Sequence, residues 1–172
     1  HHMVWSLGMG SNGFVGDYEL LTGSWVFRGG ASGDHLYTHS LGVSLFSALI
    51  AKEIGWDAPP TLFKISTAGL FHDIGMKEID RAIVDKPRAL HTPEETKQLE
   101  THTTRGASIL SGVPEISEEI LQTVLQHHET FDGRGYPAKI SGGKIISMAR
   151  LIAVADQFCE LVLADANSPA RG

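Results

Sequence analysis

The stretch His127-His128-Glu129-Thr130-Phe131-Asp132-Gly133-Arg134-Gly135-Tyr136-Pro137 decides how the chain is read. It follows an apolar run, Ile116, Ile120, Val124 and Leu125, spaced as one face of a helix that Pro114 opens. That helix closes on two adjacent imidazoles. The residues after them are rich in glycine as far as residue 143 and carry a proline, so a long loop is expected over 129–143. Two nitrogen donors therefore sit where a helix hands over to a loop.

Upstream the same period recurs. Leu36, Leu41, Val43, Leu45, Phe46, Leu49 and Ile50 predict a helix from His35 that Gly55 closes. Pro59-Pro60 opens a second, with Leu62, Phe63, Ile65, Leu70 and Phe71 as its apolar face, ending near Gly75. A short amphipathic piece covers 79–84. Thr92-Pro93-Glu94-Glu95 combines an N-cap, a proline in the first turn and two acids beside the positive helix end, and predicts one helix over 92–110. Downstream, a final helix is expected over 144–163. The core is thus read as all-α, with five substantial helices and no strand pair within it. Residues 4–33 are glycine-rich, carry Trp5, Phe14 and Trp25, and show no helical period; they read as loop, short strands or linker. His1-His2-Met3 reads as a tag remnant. The division expected is an irregular segment over 1–33 and one domain over 34–172.

Composition narrows the function classes. A chain of 172 residues, 42% hydrophobic and 20% charged, suits one domain with a real core. No apolar run is long enough to span a membrane, and no secretory pattern opens the chain. Cys159 is the only cysteine, which rules out a disulfide framework and a cysteine-based zinc site and points to the cytoplasm. The net charge of −6 gives no basic surface for long nucleic acid. A small anionic ligand remains open if metal ions supply positive charge.

The histidines are distributed unevenly. His35 and His39 share one helix face, His72-Asp73 ends the second helix, His102 lies inside the fourth, and His127-His128 ends the fifth. Asp156 stands mid-way along the last helix among Ile152, Val154, Ala155 and Phe158. A single helix histidine is commonly a hydrogen-bonded core residue. A carboxylate on an apolar helix is different, because burying it unpaired costs several kcal/mol and calls for a cation or a strong donor. Imidazole and carboxylate donors without thiolate suit iron, manganese or zinc in an open catalytic site.

Two of these stretches carry a family likeness. His72-Asp73-Ile74-Gly75 and residues 127–137, which fit HHExxDGxGYP throughout, resemble the defining motifs of HD-GYP domains, a branch of the HD metal-dependent phosphohydrolases. The likeness covers residues 34–158. It includes an intermediate histidine, His102 in Glu100-Thr101-His102-Thr103-Thr104-Arg105-Gly106, and a late aspartate, Asp156. It implies an HD-domain bundle of about five core helices around two or three divalent ions, iron or manganese. The implied metal ligands are His39, His72, Asp73, His102, His127, His128 and Asp156, with Asp73 bridging and His72 and Asp73 at the catalytic centre. The implied activity is hydrolysis of cyclic di-GMP to linear pGpG, and onward to GMP, by a metal-bridging hydroxide. The loop bearing Arg134, Gly135, Tyr136 and Pro137 would cover the mouth and contact substrate.

The chain departs from that pattern in places. Met76 stands where the family carries a phosphate-binding lysine, with Lys77 next along; Lys77 reads equally as a substrate contact or a solvated charge. His35 replaces a glutamate ligand and reads either as a ligand or as a surface residue. Cys159 replaces a second aspartate and is expected to pack in the core. After Arg150 the only base is Arg171, where the family has an arginine and a lysine. His91 has no family counterpart and reads as a loop residue. These gaps keep two alternatives beside the cyclic di-GMP enzyme: a cyclic dinucleotide-binding module without turnover, and a phosphodiesterase for another nucleotide. A sensor domain on a longer parent chain and a homodimer are the partners the likeness suggests.

Overall fold

His39, Val43, Ser47 and Ala51 recur at intervals of four, are all buried, and form the inner stripe of α1 (Asp34–Glu53). The computed structural model describes residues 34–162 together with the short strands β1 (Leu20–Leu21) and β2 (Ser24–Trp25). The strands pair antiparallel, Leu20 opposite Trp25. Trp5, Phe14, Leu163 and Arg171 lie outside the described residues.

The α1 stripe corrects the apolar face expected from the leucines. Leu41, Leu45 and Leu49 stay at least a third exposed, and the buried positions include the small residues Ser47 and Ala51. The cause is close approach by α2 (Pro59–Phe71): a Cβ placed on Gly69 would lie 2.8 Å from the Ser44 Cα. On α2 the buried line is Ile65, Ala68, Gly69 and His72, while Phe63, expected inside, is exposed. The turn between the helices is a Schellman motif. Gly55 adopts φ +82°, its N–H reaches the Lys52 carbonyl, and the Trp56 N–H reaches that of Ala51.

The single helix expected over 92–110 is two, α4 (Pro93–Glu100) and α5 (His102–Ser111). The break has a physical cause. Thr101, Thr103 and Thr104 each donate a side-chain hydroxyl to the carbonyl three residues back, and His102 Nδ1 takes that of Leu99. Side chains thus compete for carbonyls that a straight helix would give to its own amides. The short piece is α3 (Arg81–Val84), preceded by a 3-10 turn over Ile74–Glu78. The next helix, α6 (Glu118–Gln126), begins four residues later than Pro114 because Val113 to Ile116 fold into a turn first. The last, α7 (Ser147–Val162), begins after residue 144 because Ile145 is extended and 2% exposed and the Ile146 amide donates to Gln126 Oε1.

The core unites five of these helices, α1, α2, α5, α6 and α7, through Val43, Ile65, Leu110, Ile120, Val124 and Ile152. The all-α bundle of about five core helices is what the structure shows. Among the described residues no helix is long and apolar enough to cross a membrane. The capping box of α4 also forms: Thr92 Oγ1 accepts from the Glu95 amide and Glu95 from the Thr92 amide. Thr92→Ala is expected to lower stability in a urea melt by about 1 kcal/mol, with activity unchanged.

Candidate metal centre

Each buried helix stripe ends on a polar residue at the same end of the bundle. His39 opens the α1 stripe, His72 follows the last residue of α2, His102 is the first residue of α5, and His127 follows α6. The antiparallel course of α1 and α2, and of α5 and α6, brings these positions together. Asp156 joins them from the α7 stripe of Ile152, Ala155 and Cys159. Cys159 packs fully buried in the core, as expected.

Two groups of donors result: Asp73, His102, His127 and His128, and His39, His72 and Asp156. Within each group the donor atoms lie within 4.8 Å of one another. Asp73 links them. Its Oδ1 is 3.1 Å from His102 Nε2 and 3.6 Å from His127 Nε2, and its Oδ2 is 3.3 Å from His72 Nε2. Asp156 Oδ1 lies 2.8 Å from His39 Nε2 and 3.6 Å from His72 Nε2.

The outward nitrogens fix what the inward ones can do. His72, His102 and His127 each donate Nδ1–H to a backbone carbonyl three residues back, of Gly69, Leu99 and Val124, at 2.7–2.8 Å. A neutral ring held this way presents a bare Nε2 lone pair inward. Burial keeps His127 in its neutral form, and burial next to the other imidazoles lowers His128 to about 2. His127 therefore aims a lone pair at the Asp73 carboxylate and lies 3.4 Å from His102 Nε2. Acceptor faces acceptor in a dry pocket, an arrangement that a cation between them would relieve. His72 Nε2 and Asp73 Oδ1 are indeed buried without a well-formed hydrogen bond. The donor set fits divalent ions of the imidazole- and carboxylate-loving kind.

Without metal, a proton substitutes. Burial works against a charged His72, but Asp73 and Asp156 outweigh it and hold its pKa well above the ordinary value. Asp73 and Asp156 are held ionised against their burial, chiefly by His72 and by His39 respectively. A raised folded-state pKa gives stability that is fully present below the unfolded value of roughly 6.5 and is lost as pH rises through the folded value. The depressed His127 and His128 change their contribution only below that unfolded value, and the aspartates lower still. Chelator-treated protein is therefore expected to melt at lower temperature at about pH 8.5 than at about pH 7. Metal-loaded protein should gain over that interval, because ligation requires His72 to lose its proton. Equal melting of the chelated protein at the two values would contradict a protonated His72.

The loop over 129–143 folds back on its own start. Gly135 sits where a Cβ would be 2.3 Å from the His128 carbonyl oxygen, so only glycine permits the crossing. Glu129, 6% exposed, accepts from the Ala138 amide at 2.6 Å and ties the two ends together. This places Tyr136 against His128, ring centroids 4.8 Å apart and stacked, and within 6.0 Å of His102. Burial pushes the Tyr136 phenol well above its ordinary value. Pro137 follows it, partly buried. Arg134 points to solvent and is held by Asp132.

Lys77 and His91 fall outside this cluster. Lys77 is exposed on the 3-10 turn while Met76 is buried. His35 lies one turn before His39 on α1, but its side chain is outside the described residues. His91 is a structural loop residue, its Nε2 donating to the Ile83 carbonyl. Sequence reading assigned no role to Glu129, although it stands inside the quoted motif, nor to Arg88, which folding brings to Glu160 on α7. No periodicity or spacing marks Arg88.

Comparison with known proteins agrees with this architecture. The family described as HD domain matches residues 31–171. A cyclic di-GMP phosphodiesterase of Pseudomonas aeruginosa is 32% identical over 128 residues, 74% of this chain and 30% of the relative. A 3'3'-cGAMP-specific phosphodiesterase of Vibrio cholerae is 32% identical over 120 residues, 70% of this chain and 25% of the relative. The chain thus spans a third or less of the length of these relatives. Among solved structures, an HDG"Y"P protein from Bdellovibrio bacteriovorus superposes with a TM-score of 0.66 at 21% identity, over 76% of this chain and 42% of that one; at that identity the likeness is one of fold.

Proposed function

This chain belongs to the HD domain family, and we propose that it is a metal-dependent phosphodiesterase acting on a cyclic dinucleotide, cyclic di-GMP first. The observation that carries the reading is the pair of donor groups joined through Asp73 beneath a loop that stacks Tyr136 on His128. The relatives named for cyclic di-GMP and 3'3'-cGAMP hydrolysis supply the substrate class.

In this reading Asp73, His102, His127 and His128 would hold one ion and His39, His72 and Asp156 a second. Iron or manganese suits a site of imidazole and carboxylate without thiolate. When bound, such ions lower the pKa of water and neutralise phosphodiester charge. The chain's own contribution is positional. Backbone carbonyls fix the buried rings of His72, His102 and His127. Tyr136 keeps its hydroxyl proton throughout the working pH range and offers a donor and a ring face to a guanine.

One feature supports a second reading, a module that binds the nucleotide without turnover: the position after His72-Asp73-Ile74-Gly75 is the buried, uncharged Met76. Incubation of manganese- or iron-loaded protein with cyclic di-GMP, 3'3'-cGAMP and pGpG, followed by chromatography, separates the two. Linear product from cyclic di-GMP that chelator abolishes is the expected result. Intact nucleotide in each metal, with binding retained, would replace the enzyme by the binding module.

A further inference from the structure

A cyclic dinucleotide carries two phosphodiesters, and the donor cluster can engage only the one to be cleaved. A protein cation near the mouth would engage the second phosphate. Lys77 is exposed on the 3-10 turn, and Arg134 pairs with Asp132 two residues back in its own loop.

Arg88 is placed differently. Its Nη2 lies 3.5 Å from Oε1 of Glu160, which follows Asp156 by four residues on α7. Residues four apart share a helix face and are separated by roughly 6 Å along the axis. Arg88 therefore pairs with the residue one helical turn beyond Asp156 on the same face of α7. Its backbone is pinned on both sides: Lys86 binds the Glu95 carboxylate, the Leu90 amide reaches the Pro87 carbonyl, and His91 reaches the Ile83 carbonyl. The side chain itself is free to exchange partners. It is 62% exposed and Glu160 42%, and so open an ion pair contributes little.

We propose that Arg88 is a substrate-binding residue of this site, releasing Glu160 to hold the non-scissile phosphate of the bound cyclic dinucleotide. The inference rests on the function proposed above. A planar guanidinium presents paired N–H donors to phosphate oxygens, and a phosphate at the metal-rich mouth competes well with an exposed carboxylate.

The test compares wild type, Arg88→Lys and Arg88→Ala, metal-loaded, in equilibrium binding of cyclic di-GMP, in its turnover, and in turnover of bis(p-nitrophenyl) phosphate, which has one phosphate only. Arg88→Ala is expected to raise Kd and KM for cyclic di-GMP about tenfold, with kcat within about twofold and bis(p-nitrophenyl) phosphate turnover unchanged. Arg88→Lys, which keeps the charge and loses the fork, should fall between. Unchanged Kd and KM in Arg88→Ala would overturn the assignment. So would an equal loss on bis(p-nitrophenyl) phosphate, which would make the residue structural or place it at the scissile group. A wild-type protein that neither binds nor cleaves cyclic di-GMP would remove the proposed function, and this inference with it.

Discussion

Asp73→Ala is expected to reduce phosphodiesterase activity by at least about a thousandfold, roughly 4 kcal/mol of transition-state stabilisation, and to empty the centre of metal. Among the described residues no other side chain offers oxygen to both donor groups: Oδ1 faces His102 and His127 while Oδ2 faces His72. Its loss leaves the rings of His102 and His127 with no anion to balance a divalent ion. Asp73→Asn is the sharper version, because it keeps the shape and removes only the charge. It should lose metal nearly as completely, as read by elemental analysis. Retention of full metal content and turnover by Asp73→Asn would mean that the two groups are not joined through this residue.

Gly75→Ala is expected to destabilise the fold by roughly 3 kcal/mol or more in a urea melt. The added Cβ would lie 2.0 Å from the His102 carbonyl oxygen and 2.6 Å from the Gly106 amide nitrogen. These are backbone atoms and cannot rotate aside. The 3-10 turn over Ile74–Glu78 would have to move off α5, and the two elements that carry Asp73 and His102 would separate. Metal affinity should therefore fall with stability. Gly143→Ala is the control: nothing lies within 4 Å of its Cβ, and a change within about 0.5 kcal/mol is expected. If the two variants melted alike, the close packing of this turn on α5 would be wrong.

The histidines and aspartates that the family likeness singles out come together in the structure as two groups of donors. His72, His102, His127 and Asp156 each occupy or extend a helix stripe, and helical period shows which residues share a face. Sequence reading misjudged α1 because leucines at 41, 45 and 49 weigh more in a hydrophobic pattern than Ser47 and Ala51, whereas close approach by α2 at Gly69 selects small residues. It joined α4 to α5 because every threonine from 101 to 104 is tolerable in a helix one at a time. Their combined demand on the preceding carbonyls appears only with coordinates. Arg88 escaped notice for a different reason. Its meaning lies in a partner 72 positions away, Glu160, and in a loop closed by Glu129, and neither contact leaves a periodic trace.

The most direct test of the central claim is metal content. Protein purified without added metal, freed of any tag, and then reconstituted anaerobically with iron or with manganese is expected to hold about two equivalents per chain, matching the two donor groups joined by Asp73. Asp73→Asn should hold nearly none. Near-zero uptake by the wild-type chain in either metal would contradict the account, because the inward-facing nitrogens and carboxylates would then have to be satisfied by protons alone.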